Sequence, residues 1–173
     1  HDTDGFNRWN AAQSLATQVI MNLKDTDVKD GTKVSSNLCQ AFKSILTDSL
    51  TEKSVDKAMI AQLLELPTEG SLIEQSEIAA IDNIHFARKT VANSLATELI
   101  GDFSELYHSN IQTEKYSSDP NEMAQRALKN LSLAYLMRTG KQEWVEKCFH
   151  QFIQSDNMTD QLAALRYLVF YSS

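Results

Sequence analysis

Only five glycines and two prolines occur among the 173 residues of this chain. Average proteins carry roughly 12% of the two residues together, about three times as much. Turn-dense β architectures draw on both, because each tight turn wants a positive φ or a fixed one. Sheet-rich, collagen-like and low-complexity folds are therefore excluded, and long helices with few interruptions are left.

The remaining composition fits one folded domain. A hydrophobic share of 42% and a charged share of 23% suit neither a disordered segment nor a membrane span. The longest apolar stretches, Leu131 to Met137 and Leu162 to Phe170, are interrupted by Ser132 and Arg166. Both fall short of the ~20 residues of a spanning helix, so no membrane partner is expected. The net charge is −7, and the imbalance sits in residues 1–86, with 7 basic and 13 acidic side chains against 9 and 10 in residues 87–173. Nucleic-acid binding would need a basic stripe, and none is present. Cys39 and Cys148 each fall on an apolar helical face, which predicts two buried thiols in a reducing, cytoplasmic setting rather than a disulfide. The chain lacks an initiator Met and a leader, so it is expected to begin inside something larger or after processing.

The 3.6-residue period predicts a succession of helices and no strand. Trp9, Ala12, Ala16, Val19 and Leu23 draw one stripe down a helix from Arg8 to Leu23, followed by a charged loop from Asp25 to Lys33. A second helix spans Ser35 to Leu50, with Leu38, Phe42, Ile45 and Leu46 inward. A third starts at Ser54, shows Val55, Met59 and Leu63, and is stopped by Pro67. Ser71 and Glu74 suggest a capping box for a short helix. From Asp82 a long helical stretch turns Ile84, Ala87, Val91, Leu95, Leu99, Phe103 and Leu106 inward, with a break expected at Gly101. After a polar loop from Gln112 to Ser118, Asp119, Pro120 and Glu122 mark a helix start, and Gly140 its end. Its partner carries Trp144, Val145, Cys148, Phe149 and Phe152, and a last helix starts at Thr159.

The expected fold is all-α, with antiparallel helix pairs in a two-layer superhelical array of HEAT or armadillo type. A spacing of about 40 residues between pairs matches such units. No residue pattern repeats with that period, and the spacing by itself fits a compact bundle as well.

Chemistry is sparse. None of His1, His85, His108 and His150 is followed by Glu, so there is no H-E-x-x-H to hold zinc with a glutamate base between two imidazoles. The glycines, at 5, 31, 70, 101 and 140, are too scattered for a phosphate-cradling loop or a nucleophile elbow. Two cysteines alone cannot build a zinc site. Glu105 and His108 form one E-x-x-H, whereas a di-metal bundle needs that pair twice, so a solvated helix face is expected. Cys148 and His150 lie roughly 200° apart on a helix and cannot share an ion. The aromatic group Trp144, Phe149, Phe152, Tyr167 and Phe170 reads as core. The sequons at Asn130 and Asn157 are discounted. No catalytic, cofactor-binding or metal-ligating residue is assigned.

Several short motifs say more. Phe6-Asn-Arg8-Trp9-Asn-Ala-Ala-Gln13 opens the first helix, Leu95-Ala-Thr-Glu98-Leu99 sits mid-chain, and Asn157-Met-Thr159-Asp160 precedes Leu162-Ala-Ala-Leu165. Leu64-Glu-Leu66-Pro67 and Arg126-Ala-Leu128-Lys-Asn130 fall between them. In this order they resemble the C-terminal helical domain of the bacterial aminopeptidase N family, zinc-dependent alanyl aminopeptidases of the gluzincin class. The resemblance runs from Phe6 to about Leu165. It implies that residues 1–173 are the first half of a larger helical domain, with the indole of Trp9 inward and Thr159 capping the last helix ahead of Asp160. It further implies a separate thermolysin-like domain carrying H-E-x-x-H and the zinc, over which the helical domain closes, lining the channel by which peptides enter. That other domain and peptide substrates are the implied partners. No catalytic residue carries over, because the chain lacks the family's catalytic motif, and the resemblance places the substrate-facing residues largely beyond Ser173. The alternative is a free-standing helical scaffold that binds a protein in its groove.

Overall fold

The computed structural model describes residues 5–26, 35–51, 56–77, 80–112 and 115–171. Among them are nine helices and no strand: α1 (Gly5–Lys24), α2 (Ser36–Thr51), α3 (Lys57–Leu64), α4 (Glu69–Glu74), α5 (Ile81–Glu98), α6 (Ile100–Ser109), α7 (Pro120–Met137), α8 (Gln142–Gln154) and α9 (Met158–Tyr171). The first three helices lie against α5, α6 and α7 in the same order, which makes two layers. Short α4 packs on α5, and α8 and α9 pair with each other and with α7. The result is the expected all-α helical array, a choice that the spacing of helix pairs alone left open against a compact bundle.

One core runs between the layers. All seven inward residues predicted from Ile84 to Leu106 are buried, and so are Leu38, Phe42 and Leu46 of α2. Tyr135 of α7 sits at the centre, stacked on Phe103 with ring centroids 4.3 Å apart and edge-on to Phe42 at 6.2 Å. Aromatic pairs favour both geometries.

Helix ends depart from expectation where several capping residues lie close together. The predicted cap Ser54, with Val55, lies outside the described residues, and Asp56 caps α3 through Oδ1, which accepts from the backbone N–H groups of Ala58 and Met59. Ile60, Ala61, Leu63 and Leu64 are its buried residues. Met59 is only half-buried. Thr68 caps α4 by accepting from Ser71 N, so Ser71 is inside the first turn rather than at its start. Asn157, not Thr159, caps α9, its Oδ1 accepting from Asp160 N at 2.9 Å. Asp119 and Pro120 open α7 as expected, and Gly140, at φ 67°, turns the chain into α8. The break in the long helix falls at Leu99, with φ −112° and ψ 23°. Gly101 continues in α6 with no crowding around it. Trp9 is 37% exposed rather than turned inward. Of the predicted loop from Asp25 to Lys33, residues 27–33 lie outside the described residues, as do His1, Ser172 and Ser173.

Both cysteines are free; Cys148 is buried and Cys39 only partly so. Burial raises the Cys148 thiol from its ordinary 9.0 to about 11, and raises the Tyr107 and Tyr167 phenols to about 12. Each group is raised in the fold, so its contribution is fully present below its unfolded pKa and is lost as pH rises through the folded one. Stability is therefore expected to stay level to about pH 9 and to fall between about pH 9 and 12, Cys148 first. Thermal midpoints across that range check this. The Cys148→Ala variant should delay the onset towards pH 10, and a midpoint unchanged up to pH 11 would contradict the burial of these groups.

Candidate functional site: two polar clamps and an uncovered helix face

The first clamp arises from Pro67. A proline cannot continue a helix and biases the residue before it towards extended backbone, so α3 ends at Leu64. The carbonyls that follow have no helical partner and must find donors elsewhere. Leu64 O accepts from the Tyr135 hydroxyl at 2.8 Å, and Glu65 O from Gln13 Nε2 at 2.8 Å. Pro67 O accepts from Arg88 Nε at 2.7 Å, and Leu66 O from Arg88 Nη2 at 3.5 Å. Three helices, α1, α5 and α7, thus hold one four-residue strip. Gln13 and the strip belong to two of the sequence motifs, which the fold brings together.

The second clamp joins two more of them. Lys129 and Asn130 of α7 face Asp160 in the first turn of α9, and all three are buried. Asp160 Oδ2 accepts from Lys129 Nζ at 2.6 Å and from Asn157 Nδ2 at 3.1 Å, and Oδ1 from Asn130 Nδ2 at 2.8 Å. Gln151 of α8 donates to Asn130 Oδ1 at 2.8 Å and to Asp160 O at 3.1 Å, while its own Oε1 has no partner. With three donors on it, the Asp160 carboxylate has little left to offer a metal. Its chemistry is structural: it fixes α7, α8 and α9 together, its charge lying at the positive end of α9. Arg126, also buried, ties the preceding loop, donating to Ser117 O at 2.8 Å and lying 4.8 Å from the centre of the Tyr116 ring. An open groove of about 470 Å³ lies over this clamp, with Tyr116, Lys147, His150 and Asp156 among its walls.

The sequence-predicted residues do not converge on a reaction centre. Glu105 and His108 lie on an exposed face of α6, and His108 Nδ1 donates to Ser104 O at 2.7 Å. Cys148 is buried and His150 exposed. Among the described residues no three His, Cys, Asp or Glu side chains come together as a metal site would require. No helix there is long and apolar enough to cross a membrane. The aromatic group expected in the core divides: Trp144 is buried, Phe152 and Tyr167 partly so, while Phe149 and Phe170 are exposed.

That division reflects an uncovered surface. Met158, Leu162, Leu165 and Val169 of α9 are spaced 4, 3 and 4 residues apart and all are exposed, forming one apolar stripe that faces outward. Asp160 and Ala164 are the buried side of this helix. Sequence periodicity finds such a stripe but cannot say which side of the helix is covered.

Comparison with known proteins places this architecture. A family model described as a domain of unknown function (DUF3458_C) with ARM repeats matches residues 1–173. Aminopeptidase N of Escherichia coli K12 is 33% identical over 169 residues, which are 95% of this chain and 18% of that protein. Aminopeptidase N of Caulobacter vibrioides is 30% identical over 165 residues, again 95% of this chain and 18% of that protein. A crystal structure of Legionella pneumophila aminopeptidase A in complex with aspartic acid superimposes with a TM-score of 0.77 at 27% identity, covering 97% of this chain and 20% of that one. The chain thus spans about a fifth of the length of these relatives, in their C-terminal part. Matched from first residue to last and built as a helical array, it belongs to the DUF3458_C family of ARM-repeat domains, homologous to the C-terminal part of aminopeptidase N.

Proposed function

We propose that this chain is a non-catalytic helical part of a zinc aminopeptidase, an enzyme that removes N-terminal residues from peptides. Its role is to cover the active site and shape the channel leading to it. The observation that carries this reading is 33% identity to an aminopeptidase N across 95% of the chain. Among the described residues no three potential zinc ligands converge, and in this reading the metal and the groups that act with it belong to another domain of the same polypeptide. The outward stripe on α9 supports placing residues 1–173 in the first part of a larger helical domain, because a continuous apolar stripe gains by being packed. Two free cysteines support a reducing, cytoplasmic location.

The chain expressed alone is expected to bind no stoichiometric zinc and to release no alanine from a chromogenic alanyl amide. Either result to the contrary overturns the non-catalytic reading. Removing the segment from its parent polypeptide should leave zinc bound while altering kcat/KM for peptides. Unchanged constants would remove the covering role.

A further inference from the structure

A second groove, of about 820 Å³, runs between α4, α5, the end of α7 and α9. Arg88, Lys89, Arg138 and Arg166 line it, together with His85 and a single carboxylate, Glu69. This is a local concentration of cations in a chain whose net charge is −7. Glu69 is already engaged by His85, at 2.9 Å from Nδ1. Among the described residues no carboxylate pairs with any of the four Arg and Lys side chains. The Glu65 carboxylate is felt by Tyr135 and Tyr167 alongside these arginines, but the four cations still outnumber the nearby carboxylates, and an anion in the groove would relieve their repulsion.

Two of the cations are held in place. Arg88 spends Nε, and weakly Nη2, on Pro67 O and Leu66 O. Arg138 spends Nη1 on Asn93 Oδ1 at 3.3 Å and lies 4.7 Å from the centre of the Tyr171 ring. A guanidinium has five N–H donors, so each retains donors for a ligand, and the fork suits a carboxylate. Arg166 and Lys89 are exposed and unanchored. Tyr167 and Phe170 add apolar wall beside the charges, which a free inorganic anion would leave uncovered and an aliphatic stem would cover. The volume lies in the range of about 300–1,000 Å³ that accommodates drug-sized ligands, room for a short stretch of peptide. A long polyanion would extend past the groove over a chain whose net charge is −7.

We propose that this groove binds a short acidic peptide segment, its side-chain carboxylates engaging Arg88, Arg138 and Arg166 and its aliphatic stems resting on Tyr167 and Phe170. The inference rests on the groove alone and stands or falls separately from the aminopeptidase reading.

The test is a titration of the full chain, at low salt, with a fluorescently labelled hexaglutamate peptide. Hexaglutamine, inorganic phosphate and a single-stranded oligonucleotide are the comparison probes. Saturable hexaglutamate binding that weakens with salt is expected, as is an affinity loss of about tenfold or more in Arg166→Glu. Lys89→Glu should act in the same direction. Both residues are exposed, so helicity measured by circular dichroism should be unchanged in these variants. Absence of hexaglutamate binding, or binding that survives both reversals, overturns the proposal. Equal binding of hexaglutamine, competition by phosphate at equal concentration, or tighter binding of the oligonucleotide overturns the peptide assignment.

Discussion

Asp160→Ala should destabilise the fold by about 3–5 kcal/mol, because it strands a charged partner in the interior. The Lys129 and Asp160 side chains are 9% and 4% exposed and 2.6 Å apart. Without the carboxylate, the Lys129 ammonium loses its counter-charge, and Asn130 and Asn157 lose an acceptor. A chain of this size loses about 2–4 °C of melting temperature per kcal/mol, so a drop on the order of 10 °C is expected. Urea and thermal unfolding measure it. The double variant Lys129→Met, Asp160→Leu removes both charges together and should recover most of the loss, since replacing a whole buried pair is far milder than halving it. A small effect in the single variant would show that the ammonium finds water in the groove above.

Phe103→Ala is the second large effect, at about 3–5 kcal/mol. Phe103 is completely buried and stacks on Tyr135. Truncation removes the transfer energy of the ring and leaves a cavity that two opposed layers cannot fill by collapsing. It also frees the face of Tyr135, whose hydroxyl must stay 2.8 Å from Leu64 O to satisfy the strip before Pro67. Phe103→Leu should cost markedly less, and Phe149→Ala, on a half-exposed residue, under about 1 kcal/mol. Comparable losses at Phe103 and Phe149 would contradict the assignment of the core.

These two sites differ in how far the sequence discloses them. Phe103 is legible because seven apolar residues step from Ile84 to Leu106 at helical spacing, and a stripe of that length has to be covered. Asp119 is legible because Pro120 follows it, leaving one possible helix start. Asp56, Thr68 and Asn157 are not, because rival caps stand two or three residues away. The winner is set by where the incoming chain stops being extended, which is tertiary information. The Lys129–Asp160 pair is hidden for a related reason. On one helix Lys129 and Asn130 look like solvated interruptions, and only the arrival of residue 160, 31 positions later, gives them a purpose. The motifs Arg126 to Asn130 and Asn157 to Asp160 flagged both ends without revealing that they touch. On α9 the sequence marks a helix but not its inner side: Met158, Leu162, Leu165 and Val169 lie outside, with Asp160 and Ala164 turned to the core.

The position of α7 has a consequence for how this chain is made. It packs against α3, α5, α6, α8 and α9, and its Tyr135 supplies a donor to a carbonyl 71 residues earlier. A ribosome adding about 5–20 residues per second needs roughly 4–14 s to cover that interval. During that time the helices α3, α5 and α6 present apolar faces and unpaired carbonyls to the cell. The nascent chain is therefore most dependent on chaperone protection just before α7 emerges, and slow codons between residues 64 and 135 would lengthen that exposure.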